Sequence, residues 1–273
     1  MPHRSDDSGL MEARATTKRV ARTFALACRL LPRPVRDDVY LLYLVFRTLD
    51  DLVDNGEPAA CERLQAVEAW CAGEPAQSRE VRLLSDLERR HPLPRYAIAD
   101  FCAGMHQDLA GAQIVTEDDL DVYCHQVAGT VGVVMSAVLG ATDPAAPSHA
   151  SALGKAMQRT NILRDIDEDL ANGRVYLARE TLERFGCGRT PPPPAEREAL
   201  LRDQIARADA LYEAGFEGIA LLPVGRRAIC AAGAMYREIL RQIERDGYGS
   251  QGRAIVSRKR KLLVAARTRT RSA

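Results

Sequence analysis

Aromatic residues are scarce in this chain, at 5% of 273 positions, with one tryptophan. The apolar set is instead mostly Leu, Ala and Val. With Arg and Glu also abundant, the composition is dominated by strong helix formers, which favours helix packed on helix over a sheet protein. No stretch alternates with period two over a convincing length, no repeat of fixed period is present, and the only low-complexity run is Pro191 to Pro194. The seven cysteines (Cys28, Cys61, Cys71, Cys102, Cys124, Cys187, Cys230) show no C-x-x-C spacing and are odd in number. A readable zinc site or disulfide framework is thereby excluded, and a reducing compartment fits best.

Charge of one sign is also lacking. The formal net charge is +1, so no global field draws in nucleic acid, and no recognition motif supports such a partner. Long apolar runs are missing as well. Val127 to Ala141 is the longest uncharged apolar stretch, about 15 residues interrupted by glycines, against about 20 for a membrane span. Met1 to Arg14 is polar and acidic, unlike a signal peptide. A cytoplasmic protein is expected, with peripheral membrane contact as an alternative. The charge is unevenly spread, because no acid occurs from Gly247 to Ala273 while Arg253, Arg258, Lys259, Arg260, Lys261, Arg267, Arg269 and Arg271 are basic. Such a cluster is a solvated tail, a phosphate grip, or a surface for an anionic membrane.

What the chain does contain is a series of helical patterns. Apolar positions predict helices over residues 22–31, 35–53, 59–72, 78–90, 95–109, 117–139, 147–172, 196–221 and 224–246. Thr116 is the expected N-cap of the sixth, and Gly173 the left-handed stop of the seventh. Residues 1–15 are expected to be disordered, 16–265 to form one all-α domain, and 266–273 to be a basic tail.

Two acidic clusters sit inside apolar helices. The first is Asp50-Asp51-Leu52-Val53-Asp54, and the second comprises Asn161, Asp165 and Asp169. Residues four apart share a helix face, so Asp50 and Asp54 point one way, as do Asn161, Asp165 and Asp169. Stacked carboxylates repel each other, and a cation offsets that repulsion. The donors are all hard oxygens, which suit Mg²⁺, with Mn²⁺ as an alternative. Mg²⁺ held by a few carboxylates completes its shell with water and substrate phosphates. Arg47 precedes the first cluster and Arg164 lies inside the second, each a forked donor for phosphate oxygens. A solvated helix face is the competing reading of either cluster alone.

These motifs resemble the squalene/phytoene synthase family from about Thr23 to Lys261. The resemblance rests on Tyr43 and Arg47 leading into Asp50 to Asp54, on Tyr123-Cys-His-Gln-Val-Ala-Gly-Thr-Val-Gly132, on Gln158-Arg-Thr-Asn-Ile-Leu-Arg-Asp165 with Asp169, and on Asn172-Gly-Arg-Val-Tyr-Leu177. The two acidic motifs also stand about 110 residues apart, in the family's order. It implies an isoprenoid-synthase helical bundle with a central cavity, in which Mg²⁺ on Asp50, Asp54, Asn161, Asp165 and Asp169 helps ionise an allylic prenyl diphosphate (farnesyl or geranylgeranyl). A second prenyl diphosphate then attacks head to head. By the same resemblance Arg47, Arg164, Arg253 and Lys261 neutralise phosphates, Gln158 orients the site, and Thr23 and Tyr43 lie near the phosphates. Tyr123 stands near the reacting carbons, or is simply a core tyrosine. Gly129, Thr130 and Gly132 open a channel or permit close helix packing. His125 is more simply a packed residue than a catalytic one, and Tyr248 carries little weight.

Arg159 departs from the family pattern, and the chain lacks the C-terminal membrane helix of eukaryotic squalene synthases. Without a dinucleotide fingerprint, NADPH use is not supported. Metal motifs handle only ionisation, so transfer to an aromatic acceptor, or cyclisation of one chain, remains open beside coupling.

Overall fold

The chain's end segments and two single positions aside, a computed structural model describes residues 4–111, 113–249 and 251–268. Met1 to His3 of the expected disordered segment, and Arg269 to Ala273 of the basic tail, lie outside the described residues. Within them, helices follow one another without a strand. In chain order these are α1 (Arg4–Val20), α2 (Arg22–Cys28), α3 (Arg33–Asp54), α4 (Ala60–Ala72), α5 (Arg79–Glu88), α6 (Arg95–Ala110) and α7 (Glu117–Cys124). After a π-helical segment (His125–Gly129) come α8 (Thr130–Val138), α9 (Ala146–Ala171), α10 (Arg179–Arg184), α11 (Glu198–Glu217), α12 (Arg226–Arg245) and α13 (Arg258–Thr268).

Local chemistry accounts for the helix ends. Pro34 and Pro147 occupy the first turns of α3 and α9, where a missing N–H leaves no bond unmade. Thr116 caps α7 in a reciprocal box: its hydroxyl accepts from the Asp119 amide at 3.0 Å, and the Asp119 carboxylate accepts from the Thr116 amide at 2.8 Å. Gly173 stops α9 with φ 73°, as its position predicted.

Both expected end segments carry helix among the described residues. Residues 4–15, expected to be disordered, belong to α1, whose Ala13 and Thr17 are fully buried and whose Arg14 clasps Asp37 on α3 at 2.8 Å. The start of the basic tail, to Thr268, is the end of α13.

The apolar residues form two large cores. One gathers α3 to α6 and α8 around Leu42, Leu49, Leu84, Ile98 and Met105. The other gathers α7, α9, α11 and α12 around Leu120, Ala156, Leu200, Tyr212 and Leu240. Burying one such leucine contributes about 1.5–3 kcal/mol, so Leu49→Asp would break the helix that carries the first acidic cluster. Val127 and Ile229 touch both cores, and a cavity opens along that seam.

Helices α8 and α9 meet backbone to backbone beside it. A Cβ added at Gly132 would lie 2.4 Å from the Ala150 carbonyl, and one at Gly154 would lie 2.3 Å from the Ala128 carbonyl. Gly132 also lines the cavity, so close packing and channel formation are one arrangement here. The π segment shifts the helix register just before this contact, and such bulges are frequent at functional sites.

Candidate functional site

The cavity holds about 330 Å³. Arg47, Asp50, Gln158, Asn161, Tyr43 and Tyr236 form its polar end. Phe24, Phe46, Phe101, Val131, Met135, Met157, Leu139, Ala146, Ile219 and Leu222 contribute apolar walls. The C-terminal halves of α3 and α9 supply most of the polar groups, as the helical spacing required. Phe24 packs on Tyr43 with ring centroids 5.4 Å apart, fixing the wall beside Arg47.

The two acidic clusters are joined by the turn after α9. Gly173 reverses the chain, the Arg174 amide donates to the Asp169 carbonyl at 2.8 Å, and the Arg174 guanidinium donates to Asp54 at 2.8 Å. Asp54 is close enough to raise the Asp169 carboxyl, and it raises Asp50 and Asp108 as well. The Asp54 charge is thus felt by carboxyls on three helices, while Arg47 pairs with Asp50 and Arg174 with Asp54.

Their electrostatics differ. Although 37% of the Asp50 side chain is exposed to the cavity, the walls withhold bulk water. That desolvation, followed by the Asp54 charge, pushes Asp50 up to about 7 despite a 2.9 Å bond from Arg47. Arg47 is shared with Asp51. Asp169 is pushed up to about 6 by desolvation and then by Asp165. Desolvation also acts on Asp165, but hydrogen bonds from Arg164 (2.8 Å) and Arg253 (2.7 Å) outweigh it and hold that carboxyl low. Near them, Lys261 donates to Thr23 at 2.8 Å. Its pKa is lowered by burial and by the neighbouring Arg164 and Arg22 charges. Thr23, Arg164, Arg253 and Lys261 therefore make a cation-rich flank around Asp165.

The donor set fits a divalent cation. The Asn161 carbonyl Oδ1 is buried without a hydrogen-bond partner, on a residue that lines the cavity. Asp50 and Asp169 are carboxylates raised by desolvation and then by neighbouring carboxylates. Among the described residues no three acidic, histidine or cysteine side chains close on one point.

Of the expected site residues, Thr23, Asp54, Tyr123, Arg164, Asp165, Asp169, Arg253 and Lys261 are not among those lining the main cavity. Tyr123 donates through its hydroxyl to both oxygens of Asp108 at 3.2 Å. Its ring stacks on Tyr176 at 5.3 Å. Burial and the Asp108 charge raise its pKa well above the usual phenol value. Asp108 itself is pushed up to about 6, by desolvation that outweighs the Tyr123 bond. Asp108 borders a second hollow of about 280 Å³, also lined by Arg174, Tyr176 and Arg179.

Sequence reasoning gave no role to Asp108, Tyr236, Arg174 or Tyr176. The last two lie in a motif it quoted, whereas Asp108 and Tyr236 carry no local spacing signal. Tyr236 on α12 is half-buried at the cavity wall, and the Arg164 and Arg47 charges offset part of the rise that desolvation imposes on it. His125 is satisfied by the Ser151 hydroxyl at 2.8 Å, in line with a packed role. Arg159, the departure from the family pattern, is buried and binds Glu117 (3.0 Å), Asp121 (2.8 Å) and Gln204 (3.1 Å), away from the cavity. Tyr248 adopts φ 55° beneath the Arg202 guanidinium and takes no part.

Comparison with known proteins agrees with this geometry. The squalene/phytoene synthase profile matches residues 17–260. A phytoene synthase of Arthrospira platensis is 36% identical over 270 residues, covering 90% of this chain and 86% of that protein. One from Thermus thermophilus is 38% identical over 241 residues, covering 85% and 82%. Among solved structures, a dehydrosqualene synthase in complex with ligand superposes with a TM-score of 0.87 at 28% identity, covering 98% of each chain. A squalene synthase from Alicyclobacillus acidocaldarius gives 0.78 at 26% identity, covering 90% of this chain and 97% of that one.

Proposed function

Because the chain belongs to the squalene/phytoene synthase family and is a prenyltransferase that couples two prenyl diphosphates head to head, we propose that its substrate is geranylgeranyl diphosphate and its product a phytoene-type hydrocarbon. The curated relatives named above are phytoene synthases, and they support the longer substrate over farnesyl diphosphate. The observation that supports the reading is the cavity itself, lined by Asp50, Arg47 and Asn161, whose Oδ1 is unpaired, together with a largely apolar wall.

In this reading Asp50, Asp54, Asn161, Asp165 and Asp169 hold Mg²⁺, with Mn²⁺ as a substitute. The metal supplies Lewis-acid charge to a departing diphosphate. The protein's own groups do the rest. Arg47, Arg164, Arg253 and Lys261 take the phosphate oxygens, and to do so Arg47 and Arg164 exchange Asp50 and Asp165 for substrate. Gln158, Thr23 and Tyr43 orient the diphosphate. The apolar sleeve holds the prenyl chain and keeps water from the allylic cation, where preorganised charges act more strongly than in solvent. Tyr123, anchored on Asp108, would relay the proton that coupling releases, its hydroxyl passing its own proton to Asp108 as it takes up the new one.

Incubation of the purified protein with Mg²⁺ and geranylgeranyl diphosphate, followed by mass analysis of the extract, tests this. The expected result is a hydrocarbon of joined chains with release of diphosphate, and less product from farnesyl diphosphate. A single cyclised chain, or turnover only when an aromatic acceptor is added, would overturn it.

A further inference from the structure

The second hollow, of about 280 Å³, shares no lining residue with the main cavity. Three segments wall it: the end of α6 with the loop that follows, the turn after α9, and the start of α10. Two backbone bonds hold these segments together. The Arg179 amide donates to the Ile114 carbonyl at 3.1 Å, and the Glu180 amide to the Val115 carbonyl at 3.0 Å. The walls are therefore set by backbone pairing and not by side-chain rotamers alone.

Arg174, Arg179 and Arg189 line this hollow against a single carboxylate, Asp108. Asp108 is already engaged, accepting from the Tyr123 hydroxyl at 3.2 Å. Glu180, beside Arg179, is occupied as well, accepting from the Glu117 amide at 2.7 Å. Arg174 donates to Asp54 at 2.8 Å and so reaches from the hollow to the acidic end of α3. Arg179 has only a loose partner, Glu183 at 3.8 Å, whose side chain is 60% exposed, and such a pair contributes little. Arg189 is exposed and makes no hydrogen bond or ion pair among the described residues. The charges of Arg179 and Arg189 thus border the hollow without a tight counter-charge.

We propose that this hollow is an oxyanion subsite for inorganic diphosphate, the group released when a prenyl diphosphate ionises. Guanidinium forks match phosphate oxygens, and the Gln107 and Gln113 side-chain amides in the wall add neutral donors. Orthophosphate offers fewer oxygens and less charge to the same arginines, so it binds more weakly. Arg174 links the two sites. By exchanging Asp54 for a phosphate oxygen, it passes the released group on to Arg179 and Arg189. Held there, the anion shares no wall with the prenyl chamber and does not recombine with the allylic cation. The subsite itself needs only the folded chain, whereas the source of its diphosphate rests on the coupling reading.

Isothermal titration of the full chain with inorganic diphosphate, without divalent cation or prenyl substrate, tests this. The pair Arg179→Gln and Arg189→Gln should weaken binding in the hollow at least roughly tenfold. The pair Arg179→Lys and Arg189→Lys, which keeps the charge and loses the fork, should retain part of it. The pair Arg164→Gln and Arg253→Gln should leave it intact, and orthophosphate should bind wild type roughly tenfold more weakly than diphosphate. Helical circular dichroism should be the same in every pair. In turnover, the Arg179→Gln and Arg189→Gln pair should keep its initial rate. It should lose the part of the inhibition by added diphosphate that excess prenyl diphosphate does not relieve. No binding by wild type, binding unchanged in that pair, or binding abolished by Arg164→Gln and Arg253→Gln would overturn the subsite. Equal affinity for orthophosphate would overturn its assignment to diphosphate. The expected binding pattern in a chain that turns over no prenyl diphosphate would instead count against the catalytic reading alone.

Discussion

Asp50, in the first acidic motif, is desolvated and only partly neutralised, whereas Asp165, in the second, is paired with two arginines before any ligand arrives. Asp50 shares Arg47 with Asp51, and desolvation, followed by the Asp54 charge, pushes it up to about 7. Asp165 takes Arg164 and Arg253 to itself and is held low. The two aspartates look equivalent in sequence, each the first of a pair at i and i+4 on a helix end. In the proposed reading, Asp50 awaits a cation, and the arginines on Asp165 are the ones that take phosphate oxygens.

The comparison breaks first on activity. Asp50→Asn keeps the shape of the side chain and removes the charge that a metal needs, so kcat/KM should fall roughly a thousandfold. Excess Mg²⁺ should recover little of it. Asp165→Asn should fall by a similar factor, yet it also frees Arg164 and Arg253, and its KM for the diphosphate should drop or stay level while Asp50→Asn raises it. Steady-state kinetics over a range of Mg²⁺ would show this split. Identical KM changes in both variants would mean that the motifs are equivalent after all.

A smaller effect is expected on the side of the first motif, at Asp108. Asp108→Asn still accepts a bond from the Tyr123 hydroxyl but cannot carry a proton away, so turnover should fall about a hundredfold. Release of the first diphosphate, which depends on the metal end, should persist in single-turnover experiments. Loss of both steps together would place Asp108 with the metal ligands rather than with Tyr123.

These contrasts also mark what was legible in the sequence. Aspartates and Asn161 at four-residue spacing could be read because one helix sets their direction. Asp108 could not, since its partner Tyr123 is on another helix and nothing local joins α6 to α7. Helix α3 was plain from its all-round apolar pattern. Helix α1 was not, because its first turns are polar and it is held by scattered tertiary contacts, buried Ala13 and Thr17 and the Arg14–Asp37 clasp. Helix α13 hid behind its basic residues, of which only some face solvent. Arg159 stood out as a departure, and its reason lay in Glu117, Asp121 and Gln204, brought to it from two other helices.

The smallest effect is the sharpest test of the contrast, because the two motifs should respond to pH with opposite sign. Asp50 rises from roughly 3.9 in an unfolded chain to about 7 in the folded one. Between those values the folded state binds more protons than the unfolded, so the contribution of Asp50 to stability falls as pH rises. Asparagine does not titrate. The melting temperature of Asp50→Asn minus that of wild type, without divalent cation, should therefore grow from about pH 5 to about pH 7.5, by a few degrees at most. Asp165 is held low, so its contribution is present above the unfolded value and is lost as pH falls through the folded one. Asp165→Asn should thus be less stable than wild type at about pH 7.5, with the deficit closing only in acid. Adding Mg²⁺ to wild type near neutral pH should shrink the Asp50 gap by supplying the charge that asparagine makes unnecessary. Melting curves in which both variants shift in the same direction with pH would show that Arg164 and Arg253 do not neutralise Asp165, and the division of labour between the motifs would fall with it.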